Sequence, residues 1–300
     1  MQQSASGLRG HAGSLDQNTS PTNPRNRYRV GMSPVEIDDI RLKRILTRKL
    51  VSLEESGDAL PPTELLRRVP RTWSGIDVAS APPQEIPPEE IYRSACRSVV
   101  AVGKLFPCPR CGKQHASIAS GFVIAKSGLV ITSFHVVDDP DRRALGIMTL
   151  DGSVYHVQSV VSASRKDDLA VLQVRADDLV PLPLGDEPPV GGAIYVLSHP
   201  AGRLFTFTTG TVSRYSSYRR SQGEGGESRS RLMTITADFG HGSSGAPILD
   251  AHGAVVGVAR KTKSIYYNSG NETARRLQMV LKHCTPSRAL EDLGLRRAAG

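Results

Sequence analysis

Acyl transfer at a peptide bond needs a nucleophile, a base that takes its proton near neutral pH, and donors for the oxyanion that forms. The run Gly240-His241-Gly242-Ser243-Ser244-Gly245-Ala246-Pro247 offers a hydroxyl amid small residues, directly ahead of the apolar Pro247-Ile248-Leu249. A turn of that composition leaves a hydroxyl exposed. The glycine at 242 also lets the backbone N–H groups of Gly242 and Ser244 converge on one point, where a tetrahedral intermediate's oxygen can sit. Ser244 is preferred to Ser243 because the glycine two positions before the nucleophile and the one following it fall correctly only for 244.

For the base, His135 follows the apolar Gly128-Leu129-Val130-Ile131 within Thr132-Ser133-Phe134-His135-Val136-Val137, at a strand end and ahead of an acidic turn. Asp168 opens the run Asp168-Leu169-Ala170-Val171-Leu172-Gln173-Val174. A carboxylate at the mouth of a buried strand can fix an imidazole's tautomer and balance its transient charge. Asp167 is the competing acid; one residue outside the strand, it is expected to face solvent.

These three blocks resemble the signatures of the trypsin-like (chymotrypsin-fold) serine peptidases, in that family's His, Asp, Ser order, and the HtrA-type branch is the best match. Similar stretches include Glu89-Glu90-Ile91-Tyr92 through Ser98-Val99-Val100, Ser120-Gly121-Phe122-Val123-Ile124, Ser198-His199-Pro200-Ala201-Gly202, and Thr209-Gly210-Thr211-Val212-Ser213. The likeness covers about 89–295 and implies proteolysis through an acyl-enzyme, with no cofactor needed for catalysis. Ser243 stands where the branch usually has Asn, and Ala246 where Gly is usual. HtrA-type chains commonly continue into peptide-binding PDZ modules; none is expected here. Val136 replaces the cysteine of secreted relatives, which agrees with a reducing compartment. A catalytically silent, protease-shaped binding or regulatory module is the alternative. An α/β-hydrolase is excluded, since neither serine lies in a GxSxG arrangement.

Secondary features carry further expectations. Asp238, six residues before Ser244, lies at the offset where trypsin-like enzymes keep an acid for Lys or Arg side chains, so a substrate-pocket role is assigned to it. Cys108, Cys111 and His115 form one knuckle of a possible structural zinc site, which Cys96, another histidine or a second chain would have to complete; a reduced hairpin tip and a redox-sensitive pair are the competing readings. Residues 214–231, polar and arginine-rich, read as a mobile loop beside the active site, and His199 and His241 as loop residues.

These side chains need a frame. From Ser98 on, short apolar runs alternate with turn residues, giving strands at 98–105, 117–125, 128–132, 144–150, 153–163 and 168–174. After Asp186-Glu187-Pro188-Pro189 a second set follows at 192–198, 204–214, 230–236, 245–250, 253–262 and 274–281. The fold is thus expected to be all-β: two six-stranded antiparallel Greek-key barrels, 89–186 and 187–295, the second ending in a short helix capped by Thr285. Upstream lie a disordered arm (1–33), an amphipathic helix (34–57) with Ser33 as N-cap and Gly57 as stop, and a Pro-rich linker (58–88). The helix should cover its own catalytic domain or mediate partner binding or self-association.

With 28 glycines and 20 prolines the chain is rich in turns, which suits short strands. The net charge of +9 raises nucleic acid as a partner, but no aromatic-interleaved recognition motif accompanies the arginines, so peptide substrates are expected instead. No apolar run serves as a signal-peptide core or a membrane span, and the reading is cytoplasmic.

Overall fold

Strand alternation becomes a closed wall when each strand finds a partner on both edges, and the chain does this twice. The computed structural model describes residues 36–176, 179–221, 227–267 and 276–298. In the first barrel β2 (Val99–Pro107), β3 (Gln114–Ala125), β4 (Leu129–Thr132), β5 (Ala144–Met148), β6 (Val154–Ser164) and β7 (Leu169–Val174) close in the order β2-β3-β4-β7-β6-β5. The second is built from β8 (Ala193–Ser198), β9 (Thr206–Ser221), β10 (Glu227–Ile235), β11 (Pro247–Leu249), β12 (Val255–Tyr267) and β13 (Arg276–Pro286), in the order β10-β13-β12-β11-β8-β9. All pairings within the barrels are antiparallel. The two six-stranded barrels are those expected from the alternation.

The amphipathic segment forms α1 (Asp39–Glu55), and Asp38 caps it by accepting the Arg41 N–H at 2.9 Å. The expected cap Ser33 and the arm 1–33 lie outside the described residues. Leu42, Leu46, Leu50 and Leu53, spaced three and four apart, are buried. They lie on the first barrel at positions without side chains. A Cβ on Gly146 of β5 would stand 2.7 Å from the Leu50 Cδ2 methyl, and one on Gly103 of β2 would meet Leu46 at 2.8 Å. The helix therefore spends its apolar face on its own domain. Burying each leucine contributes about 1.5–3 kcal/mol.

Three expectations change here. The segment 58–88 is not an unstructured linker: it holds α2 (Pro62–Arg67) and β1 (Ile76–Val78), with Leu65 and Val78 buried. Its prolines do not prevent this, because Pro62 starts α2, where a missing N–H breaks no helical bond. β1 pairs in parallel with β14 (Leu295–Arg297), a contact between segments far apart in sequence that no local pattern announces. The stretch 214–231 is not simply a loop either. Its described residues extend β9 and β10 as a hairpin, paired from Arg214–Thr234 to Ser221–Glu227. Last, the C-terminal helix is one turn, α5 (Arg288–Glu291), preceded by Ser287 rather than capped by Thr285. Thr285 stays in β13 opposite Val258.

Between β2 and α2 along the chain lies α3 (Pro88–Ala95), which buries Ile91 and Ala95 and ends in buried Cys96. No helix is long and apolar enough to cross a membrane among the described residues.

Candidate active site

His135 sits in α4 (Phe134–Val137), the single turn after β4; Ser133 before it is fully buried and donates to the Ala259 carbonyl at 3.3 Å, tying that turn to β12. Asp168 stands just before β7 in a left-handed conformation, φ 60°, which aspartate tolerates better than most residues. That twist presents its carboxylate to His135. Oδ1 accepts the His135 backbone N–H at 3.0 Å, and the Nδ1 nitrogen lies 3.0 and 2.9 Å from Oδ1 and Oδ2. A carboxylate accepts only, so Nδ1 carries the proton and Nε2 is left as acceptor, 2.9 Å from the Ser244 Oγ. Ser, His and Asp thus form one relay.

Asp167 does not face solvent as expected. It is 5% exposed, its carboxylate accepts the Ser164 hydroxyl at 2.9 Å, and its carbonyl accepts the Thr285 hydroxyl at 2.7 Å. Its partners turn it into the structure beside β7, away from His135.

Ser243 is buried and spent on structure, donating to the Ser198 hydroxyl at 3.0 Å. The turn that holds Ser244 is fixed from both barrels. Gly242 has φ 94°, and a Cβ there would stand 2.5 Å from the His199 carbonyl. The Ser120 hydroxyl of β3 donates to the Gly242 carbonyl at 2.9 Å, and the Ser120 N–H to the Ser244 carbonyl at 2.9 Å. The His241 carbonyl accepts the Ala201 N–H at 2.6 Å. Because a trans peptide points its C=O and N–H in opposite directions, this bond turns the Gly242 N–H the other way. Neither Gly242 nor Ser244 N–H donates to a backbone carbonyl among the described residues. Ser243 and Ala246, the substitutions relative to the resemblance, leave those two donors in place.

His199 is not a plain loop residue. It is fully buried, its Nδ1 accepts the Phe205 N–H at 3.0 Å, and burial pushes its pKa down to about 4. Its backbone N–H reaches the Ser120 hydroxyl, so it belongs to the scaffold under the turn. That scaffold continues to α1, where the Asp39 carboxylate accepts the Leu204 N–H at 2.8 Å.

The relay opens into a cleft of about 640 Å³ between the barrels, lined by Phe134, Tyr218, Phe239 and His241 along with Arg165, Arg260 and Lys261. Asp238 is not in it. Its side chain is 82% exposed and paired with Lys282 at 2.7 Å, so the acid-based pocket expected for basic side chains is corrected: the neighbouring Phe239, 5% exposed, occupies the wall. The sequence offset was right for the turn but could not show which way the side chain points.

Arg260 was missed. It is 7% exposed, donates to the Ser230 hydroxyl and the Lys166 carbonyl, and brings its Nε to 3.9 Å from the Asp168 carboxylate. Its guanidinium lies over the Tyr218 ring at 5.6 Å, which links the β9–β10 hairpin to the relay. One signal for it exists: an arginine closing the apolar run Val255-Val256-Gly257-Val258-Ala259 requires a buried partner.

Cys108, Cys111 and His115 come together at the β2–β3 turn, with their ligand atoms within 4.8 Å of one another. Cys96 does not join them. It is buried at the end of α3, where burial pushes its thiol up to about 11.

With this geometry in hand, comparison with known proteins is informative. Residues 119–258 match the family model of the trypsin-like peptidase domain. A probable periplasmic serine endoprotease DegP-like from Hahella chejuensis is 33% identical over 169 residues, covering 55% of this chain and 33% of that protein. A putative serine protease HhoA from Synechocystis is 31% identical, covering 52% of this chain and 40% of its own length. The chain thus spans about a third of the length of such relatives. Among solved structures, the HtrA-type protease AlgW with tripeptide superposes with a TM-score of 0.53 at 20% identity, covering 69% of this chain and 62% of that one. The Rv3671c protease from M. tuberculosis in its active form gives 0.53 at 24% identity, covering 77% and 95%. Both show the same fold.

Proposed function

We propose, from the match of residues 119–258 to the trypsin-like peptidase domain and the similarity to DegP-like and HtrA-type serine proteases, that this chain is a serine endopeptidase acting through an acyl-enzyme. The observation that carries the reading is the unbroken relay, Ser244 Oγ to His135 Nε2 at 2.9 Å and His135 Nδ1 to Asp168 at 2.9 Å. Ser244 attacks the scissile carbonyl as His135 Nε2 takes its proton. Asp168 holds the ring and stabilises the imidazolium without taking the proton itself. The N–H groups of Gly242 and Ser244 receive the oxyanion. His135 then gives its proton to the leaving amine, and water attacks the acyl-enzyme with the same base.

Phe239 at the cleft wall and the Lys282-neutralised Asp238 favour an uncharged side chain at the cleaved position over lysine or arginine. The silent-module alternative is not favoured, because a silent site would lack either the relay or free oxyanion donors.

Labelling with a fluorophosphonate probe, alongside digestion of an unfolded protein such as casein, tests the reading. Wild type is expected to label and digest, and Ser244→Ala to do neither while keeping its fold. Undiminished labelling of Ser244→Ala refutes the assignment.

A further inference from the structure

The turn joining β2 to β3 is closed by its own backbone bonds. β2 and β3 stay in register to Pro107–Gln114, leaving the six residues Cys108 to Lys113 as the tip. The Cys108 N–H donates to the Lys113 carbonyl at 2.8 Å, and the Gly112 N–H returns to the Cys108 carbonyl at 2.9 Å. Gly112 has φ 67°, the conformation that brings the chain back past the first sulfur. From β3, opposite Phe106, His115 closes the group, with its Nε2 3.1 Å from the Cys111 Sγ.

We propose that Cys108, Cys111 and His115 bind one divalent, thiophilic metal ion, zinc(II) by chemical class, with a fourth position open to solvent. Three observations support it together. The ligand atoms all lie within 4.8 Å of one another, and a tetrahedral zinc with bonds of about 2.0–2.3 Å sets its ligand atoms roughly 3.3–3.8 Å apart. Rotation of exposed side chains covers that difference. The donor set is two thiols and an imidazole, which is the soft set zinc prefers over calcium or magnesium. Charge also balances: two thiolates neutralise the ion, and binding releases their two protons to solvent. No other His, Cys, Asp or Glu joins the three among the described residues, so the fourth position falls to water.

The site is separate from the relay, so its test does not depend on the proposed peptidase activity. The full chain, reduced and freed of metal by chelator, is titrated with cobalt(II) and then displaced with zinc(II), while sulfur-to-metal charge-transfer absorption is followed. One equivalent per chain is expected, with released protons detectable in weak buffer. Cys108→Ser and Cys111→Ser should each weaken the absorption, and the double variant should remove it. His115→Ala should keep it but weaken zinc binding at least about tenfold. Cys96→Ala should change nothing, and circular dichroism checks that each variant folds.

Failure of the reduced chain to bind cobalt or zinc overturns the proposal. So does binding that survives the Cys108→Ser, Cys111→Ser double variant. One ion shared by two chains overturns the open fourth position. Thiols that are recovered as a disulfide from the native protein, and that take up no metal after reduction, identify a redox pair instead.

Discussion

A histidine becomes a base at one nitrogen only when something holds the proton on the other, and here Asp168 does so through contacts with both the ring and the backbone of His135. Asp168→Asn offers an N–H where Nδ1–H needs an acceptor, and so favours the wrong tautomer. The expected outcome is a fall in kcat of about 10⁴ with little change in KM or thermal stability; a loss under tenfold in steady-state assays speaks against the relay. His199 gives a second prediction at this scale. Its pKa is held down to about 4 when folded, against 6.5 unfolded, so the unfolded chain binds the extra proton first. Stability is therefore full above about pH 6.5 and falls as pH drops towards 4, by on the order of 3 kcal/mol. Denaturant midpoints of wild type should decline across that window, and those of His199→Gln should decline less. The juxtaposition of His135, Asp168 and Ser244 was legible because each sits beside an apolar run that fixes its place at a strand end. The orientations of Asp167 and Asp238 were not: the Asp167 carboxylate turns back onto the Ser164 hydroxyl while Thr285 holds its backbone carbonyl, and Asp238 is drawn out by Lys282, distant in sequence.

At the scale of elements, α1 does more than cover the barrel. Its leucines rest on β2 and β5, while Asp39 at its first turn holds the N–H of Leu204, in the segment whose Ala201 anchors the turn before Ser244. The period of the leucines was readable, but the surface that receives them was not, because a glycine in a strand looks the same whether it faces solvent or a helix. Gly146→Ala tests that docking. The new methyl meets the Leu50 side chain at 2.7 Å and the Tyr155 carbonyl at 2.8 Å, and only the former can yield. A loss of about 1–3 kcal/mol is expected from denaturant unfolding, and the double variant with Leu50→Ala should lose less than the sum of the two single losses. Strict additivity means that the helix does not rest there. The β9–β10 extension was misread for the opposite reason. Its serine- and arginine-rich sequence carries no apolar alternation, and the mutual hydrogen bonds of the two strands define them.

For the whole molecule, the +9 net charge matters where it concentrates. The cleft is lined by three cations, Arg165, Arg260 and Lys261, against two acids, and since Arg165 pairs with Asp138 at 2.9 Å and Arg260 lies 3.9 Å from Asp168, the excess of one positive charge falls to Lys261. Lys261 also sits 3.7 Å above the Tyr218 ring, so the β9–β10 hairpin helps to hold this charge over the site. A cleft with an excess of one sign of charge raises the local concentration of oppositely charged substrate. Peptides with aspartate or glutamate flanking the cleaved bond should therefore be turned over faster than the same peptides carrying lysine there, by roughly tenfold in kcat/KM at low salt. Screening shortens from about 10 Å at 0.1 M salt to about 3 Å at 1 M, so the preference should shrink as salt rises. Lys261→Glu should shrink it at low salt as well. A preference indifferent to both salt and Lys261 would mean that shape, not the field of the cleft, selects the substrate.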